Sequence, residues 1–184
     1  MRRGFSRDRR GQIRLRLDPL ELTALDELLV QLLALVEPER PEPEDPLAAM
    51  VGIDPHATES DDPAVRRLFP AAYLDDDEAA SEFRRFTERS LRQGKADRAR
   101  AVMGSIQRLV ATDGQGPIDS TEVNAWLGSL NDLRLILASR LGIDDDDGLW
   151  RDELHDVPEA EHAMMLYDWL TWLQDALVNV IDQG

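Results

Sequence analysis

Residues 12–36, which read QIRLRLDPLELTALDELLVQLLALV, change their hydrophobic period from two to about 3.6 within one stretch. Over residues 13–17 apolar side chains alternate with arginines, a pattern that predicts a strand with one buried face. Asp18 then suits an N-cap, Pro19 suits the first helical position, and leucines follow at helical spacing. The stretch therefore predicts a β-strand that leads directly into a helix over residues 18–36.

The segment before this helix is predicted to be a β-hairpin over residues 1–17, with a turn at residues 8–11. A two-stranded ribbon is only marginally stable alone, so it must lie on helices or pair with another chain. Its arginines, Arg14 and Arg16, alternate away from the buried face and are candidate contacts for a partner.

The rest of the chain predicts a mainly α protein. Residues 37–63 hold six prolines among acidic residues and predict a flexible loop. Residues 64–184 predict a helical bundle, so we expect one domain over residues 1–184, with about five to seven helices and a short N-terminal β-hairpin. The apolar spacing and the caps predict helices over residues 63–69, 75–93, 95–110, 119–141 and 159–181, with a short one near 149–154.

The charge of the chain is strongly acidic and uneven. The net charge is −16, yet residues 1–17 and 84–108 each carry a net charge of +6. Such a field disfavours DNA as a partner unless DNA binds one of these two basic zones. The sequence has no cysteine and no apolar stretch long enough to span a membrane, which favours a cytoplasmic protein without cofactors.

The arginines of the second basic zone form the most partner-like feature of the sequence. On a helical wheel Arg85, Arg89 and Arg92 lie opposite a face that holds Phe83 and Phe86, and the row continues towards Arg98. This row predicts either the solvent face of an amphipathic helix or a docking face for an acidic partner or a phosphate backbone. We expect Trp126, Trp169 and Trp172 to lie in the core.

No motif for catalysis or metal binding stands out. The acidic loop DDDDG at residues 144–148 lacks oxygen ligands at the first and twelfth positions of a calcium loop. His155 and His162 are separated by Pro158, so they need not share a helix face. The residues thus favour a protein that is not an enzyme, and a metal-dependent hydrolase is the remaining enzymatic alternative.

Three segments together resemble the actinobacterial AosR-like family, long catalogued as a domain of unknown function. They read QIRLRLDPLELTALDELLVQLL, EFRRFTERSLRQGK and AWLGSLNDLRLILASRLGI. The most specific part runs from Trp126 to Gly142. Its family-motif residues are Trp126, Asn131, Asp132, Arg134, Arg140 and Gly142. As mid-helix polar groups, Asn131, Asp132 and Arg134 are also predicted to join hydrogen bonds or ion pairs between helices.

The resemblance implies a cytoplasmic regulator of the oxidative stress response that works with an alternative sigma factor, with cysteine oxidation as its signal. The sequence departs from that pattern because it has no cysteine, so a thiol switch cannot operate in it. The resemblance and the residues together predict a regulator that binds a protein partner. Direct DNA binding through the arginine face and a homodimer remain alternatives.

Overall fold

The computed structural model describes residues 3–37, 57–73, 75–143 and 158–183, and side chains in the last range from residue 160. Residues 38–56 of the predicted loop at 37–63 lie outside these residues, as do the predicted loop at 144–148, the predicted short helix near 149–154 and His155. The described elements confirm the prediction of a mainly α protein with an N-terminal hairpin. In chain order they are β1 (Gly4–Arg7), β2 (Ile13–Arg16), α1 (Pro19–Val36), α2 (Pro63–Leu68), α3 (Asp77–Val110), β3 (Gln115–Pro117), α4 (Val123–Arg140) and α5 (Pro158–Asp182).

The N-terminal hairpin forms two strands of a three-stranded antiparallel sheet with the order β1-β2-β3. Leu15 in β2 pairs with Phe5 in β1 and with Gly116 in β3. Residues 115–117 lie between two predicted helices and carry no strand pattern, because Gly and Pro interrupt strands and three residues are too few for an alternation. β3 is instead specified by the open edge of β2, a tertiary contact.

α1 begins as the sequence predicts. The Asp18 carboxylate accepts the Glu21 N–H at 2.9 Å, and the Glu21 carboxylate accepts the Asp18 N–H at 2.8 Å, which forms a capping box. Glu21 also accepts the indole N–H of Trp169 in α5 at 2.9 Å. The cap therefore fixes both the start of α1 and the approach of α5.

α3 is one continuous helix, so the predicted break at Gly94 is wrong. A glycine inside a helix costs only about 1 kcal/mol relative to alanine. Gln93 and Lys95 are good helix formers, and buried Ala96 and Ala99 hold the following turns against the core. Packing on both sides of Gly94 outweighs its propensity.

α4 packs between α3 and α5 and carries the centre of the core. Trp126 is fully buried and meets the Phe5 ring edge to face, with 5.4 Å between ring centroids. Trp172 was predicted in the core but is 42% exposed, because its ring lies over Gly4 at the rim of the sheet. The predicted stripes of α1, α4 and α5 are otherwise mostly confirmed. Their fully buried members include Leu25, Leu29, Leu32, Leu130, Leu170, Leu173 and Leu177.

The ends of α4 are confirmed in part. The helix begins at Val123 rather than at 119 or 120, because Asp119 accepts the Thr121 N–H and closes a turn before the helix. At the other end Gly142 has φ of +67°, and Ile143 N–H donates to the Ala138 carbonyl at 2.8 Å. Gly142 is thus the predicted residue that closes the helix in a left-handed conformation.

Candidate functional site

The predicted arginine face of α3 is divided in the structure. Arg85 and Arg89 are exposed, as expected of a docking face. Arg92 is 8% exposed and points towards α1, so its prediction as a partner contact is wrong. Phe83 and Phe86, which lie on the opposite face of the helical wheel, are 42% and 54% exposed. The N-terminal half of α3 therefore buries charge and exposes aromatic rings.

Arg92 is buried because it is fully engaged by neighbouring groups. It donates to the Glu88 carboxylate at 2.7 Å and to the carbonyls of Leu35 and Val36 at 3.1 and 3.4 Å. Its guanidinium also lies 4.4 Å from the centroid of the Phe69 ring. These bonds satisfy carbonyls at the end of α1, which have no partner within their own helix. Arg92 is thus a structural clamp between α1, α3 and the end of α2.

Asp132 on α4 forms a second buried group of charges with α3. It is 2% exposed and accepts Lys95 at 2.6 Å and Arg98 at 3.5 Å. Arg98, another predicted partner contact, lies so closely over Gly128 that a Cβ there would stand 2.5 Å from its Nε. Arg98 is part of the α3–α4 interface, with only part of its side chain in solvent.

Two more family-motif residues, Arg134 and Arg140, also connect helices. Arg134 donates to Thr171 at 2.9 Å and to Gln174 at 3.0 Å on α5. Arg140 donates to Asp62, the N-cap of α2, at 2.8 Å. These bonds and those of Asp132 confirm the predicted interhelical role of the motif's polar groups, except that Asn131 is exposed. The motif therefore specifies how α4 packs.

The pKa of Asp62 reflects its position in this interface. Burial alone would raise the pKa, but hydrogen bonds from the Ala64 N–H and from Arg140 lower it below its ordinary value. The carboxylate therefore stays ionised, and it joins the start of α2 to the end of α4.

A groove of about 570 Å³ lies between the N-terminal half of α3 and the segment that ends α2. Its floor and walls include Phe69, Phe83 and Leu91, and cationic Arg84 and Lys95 also line it. The sequence did not predict this groove, because residues 68–72 reach α3 only through the tertiary fold. The i,i+4 pair of Glu88 and Arg92 was no signal for it either, because such pairs usually lie on exposed helix faces.

Exposed aromatic side chains surround the groove. The rings of Tyr73 and Phe83 meet edge to face, with 6.1 Å between centroids. Ten large apolar side chains are exposed in the part of the chain that the structure describes, and four belong to this region. These four are Tyr73, Phe83, Phe86 and Leu91. Such clusters of exposed apolar groups often mark interaction sites.

The two hairpin arginines that were predicted as partner contacts differ in exposure. Arg16 is exposed and Arg14 is half-buried, both on the central strand β2. Arg7 donates to the Val180 carbonyl of α5 at 2.9 Å, so the hairpin lies on helices of its own chain. The ribbon remains a candidate contact surface, separate from the groove.

Among the described residues, no group of three potential metal ligands lies together. His162 is exposed on α5. None of the helices in the same residues combines the length and apolar character of a membrane span.

Comparison with known proteins gives one family and several relatives. Residues 1–181 match the domain of unknown function DUF2017. The oxidative stress regulator AosR of Mycobacterium bovis is 35% identical, with 90% of this chain and 80% of that protein covered. The protein of the same name from Mycobacterium tuberculosis H37Rv gives the same values. A Mycobacterium leprae relative is 33% identical over 87% of this chain and 78% of its own length. No solved structure gives a significant match.

Proposed function

Because this chain belongs to the DUF2017 family, whose mycobacterial relatives are named oxidative stress regulators, we propose that it is a non-enzymatic stress-response regulator that acts by binding another protein. The family is the one that the sequence predicted. The regulator works in the cytoplasm, and its partner is a component of the transcription machinery such as a sigma factor. With no cysteine in the sequence, its regulation does not use a thiol switch.

One observation carries this proposal: the N-terminal half of α3 exposes aromatic rings beside arginines. Phe83 and Phe86 stand in solvent, and Arg85 and Arg89 are exposed on the same two turns. Aromatic residues and arginine are enriched at protein interfaces and dominate their binding energy. A helix that hides Glu88 and Arg92 while it exposes phenylalanines is suited to contact a partner.

Affinity capture from cell extract, followed by mass spectrometry, tests the proposal. We expect the unaltered chain to retain a transcription component, and the double variant Phe83→Ala/Phe86→Ala to lose it. Leu20→Ala/Val30→Ala is the matched control, because it removes two exposed apolar side chains from α1. Recovery of the same proteins by all three chains, or of none by the unaltered chain, would contradict the proposal.

A further inference from the structure

We propose that the groove between residues 68–72 and the N-terminal half of α3 binds an acidic, amphipathic segment of the protein partner. This inference rests on the proposed function and specifies the chemistry of what is bound. The charge of the groove, the apolar character of its walls and the small residues that line it all favour such a segment.

Among the residues that the structure describes, three cations and one carboxylate line the groove: Arg84, Lys95, Arg98 and Glu88. The buried carboxylate of Glu88 is shared by Arg84 and Arg92, and the buried carboxylate of Asp132 is shared by Lys95 and Arg98. Four cations therefore accompany two carboxylates. Exposed Glu59 lies 3.9 Å from Arg84 at the rim, which leaves an excess of positive charge after it too is counted.

This excess lies in a protein whose net charge is −16, so the groove is a local exception. Arg84 and Lys95 are mostly buried, with 11% and 14% of their side chains exposed. Cations held in partly dry surroundings attract a carboxylate more strongly than cations in open water. Arg98 also lines the groove, with 37% of its side chain exposed. Carboxylates are the complementary groups.

The walls of the groove require that the bound segment also be apolar. Phe69, Phe83 and Leu91 line it, and Tyr73 supports Phe83 from outside. Phosphate groups of a duplex would leave these side chains uncovered, and the field of the whole chain repels DNA. A segment with apolar side chains on one face and carboxylates along its edges satisfies both features.

Small residues make room for another backbone to approach α3. Ala80, Ser90 and Gly94 line the groove, and Ser90 and Gly94 are one helical turn apart. An added Cβ at Gly94 would have no atom nearer than the Arg98 guanidinium at 3.8 Å, so space remains above this position. Close approach of two backbones is a usual role of glycine. The groove is thus shaped for a peptide segment.

Fluorescence anisotropy with two designed peptides tests the proposal. The first is a labelled amphipathic helix of about 16 residues with leucines on one face and glutamates elsewhere, and the second has lysines in place of the glutamates. We expect the acidic peptide to bind at least about tenfold more tightly than the basic one. Its affinity should fall as salt is added. Equal affinity for the two peptides would overturn the proposal.

Variants locate the binding site. Leu91→Glu places a carboxylate in the groove at a half-exposed helical position, and Phe83→Ser removes an apolar wall; each should weaken binding of the acidic peptide at least about tenfold. Val110→Glu is the control, because Val110 lies on the same helix, is 62% exposed and is remote from the groove. Circular dichroism checks that each variant is folded.

The possible failures are distinguishable. Peptide affinity that is unchanged by both groove variants would overturn the inference, even if affinity capture still recovers a partner. The inference would also be overturned if sedimentation shows that the peptide binds only to self-associated copies of the chain and not to the monomer. Loss of both peptide binding and partner capture in Leu91→Glu, with Val110→Glu intact, would support the inference and the proposed function together.

Discussion

At the scale of single residues, the burial of charged side chains was the feature that the sequence did not predict. Glu88 and Arg92 are four residues apart, a spacing that on most helices is a surface pair. Here both are buried, because Arg92 satisfies carbonyls at the end of α1 and Phe69 covers its guanidinium. A wheel drawn by hydrophobicity places such residues in solvent, so Arg92 could not be assigned correctly without the contacts of α1 and α2.

The first prediction concerns Asp132. Asp132→Ala removes the shared carboxylate of Lys95 and Arg98, and we expect a loss of about 3 kcal/mol in the free energy of unfolding. The two cations would be left without their buried partner. Urea denaturation measures the loss. Asp97→Ala, on the exposed side of α3, is the control and should cost less than about 1 kcal/mol. Similar losses from the two variants would contradict the buried pairing.

The second prediction concerns the pH dependence contributed by Glu122. Burial would raise its pKa, but hydrogen bonds from Ser105 and Arg108 lower the pKa below its ordinary value. Because the folded pKa is the lower one, the ionised group stabilises the fold above the unfolded pKa of about 4.3, and this contribution is lost as the pH falls further.

Glu122→Gln tests this dependence. We expect it to lower the free energy of unfolding by about 1–2 kcal/mol at neutral pH, where charged hydrogen bonds are lost. The difference from the unaltered chain should shrink as the pH falls below about 4.3. Denaturation curves across that range provide the measurement. A difference that stays constant with pH would refute the assigned role of the charge.

At the scale of elements, helices with apolar stripes were predictable and exceptions came from tertiary contacts. α1 and α5 follow their leucine spacing almost residue by residue. The uninterrupted course of α3 and the existence of β3 could not be predicted from local pattern. Gly94 is a weak helix former, and packing of the neighbouring turns keeps it within α3. β3 is a short segment whose strand conformation depends on its pairing with β2.

The third prediction tests the continuity of α3. Gly94 and Gly104 both lie inside the helix, and an added methyl group would come no closer than 3.8 and 3.9 Å to a neighbouring atom. We expect Gly94→Ala and Gly104→Ala each to raise the free energy of unfolding by about 0.5–1 kcal/mol.

Thermal or urea unfolding measures both variants against a control at a turn. Gly114 has φ of +73°, and a Cβ there would stand 2.0 Å from the Leu17 carbonyl oxygen. Gly114→Ala should therefore destabilise the protein strongly. Destabilisation by Gly94→Ala would show that the helix needs the freedom of glycine at that point, contrary to the continuous packing described above.

At the scale of the whole molecule, the architecture followed from the sequence but the groove did not. Amphipathic stripes and caps are local signals, and they predicted a helical bundle with a hairpin. The groove requires residues 68–72 to be brought beside α3, and the orientation of α3 is set by its buried charges. Arg85 and Arg89 are exposed. The helical wheel placed them on the polar face of α3, so their exposure could be predicted from local spacing.

The fourth prediction concerns the field of the molecule. A chain with a net charge of −16 should not bind a DNA duplex at physiological salt, although Arg14, Arg16, Arg85 and Arg89 form basic patches. Anisotropy with a labelled duplex at low and physiological salt tests this. A complex that weakens steeply with salt would contradict the prediction and favour direct DNA recognition.

The contacts of the sheet affect the order in which the chain can fold during translation. β2 pairs with residues 115–117, and Arg7 of β1 bonds the carbonyl of Val180. β1 and β2 leave the ribosome before β3 and α5, so they cannot complete these contacts until α5 has been translated. Until then their apolar face stays open to solvent and to chaperones, because contacts so distant in sequence form slowly. Premature termination before α5 would leave the apolar face of the hairpin uncovered and make the truncated product a target for proteolysis.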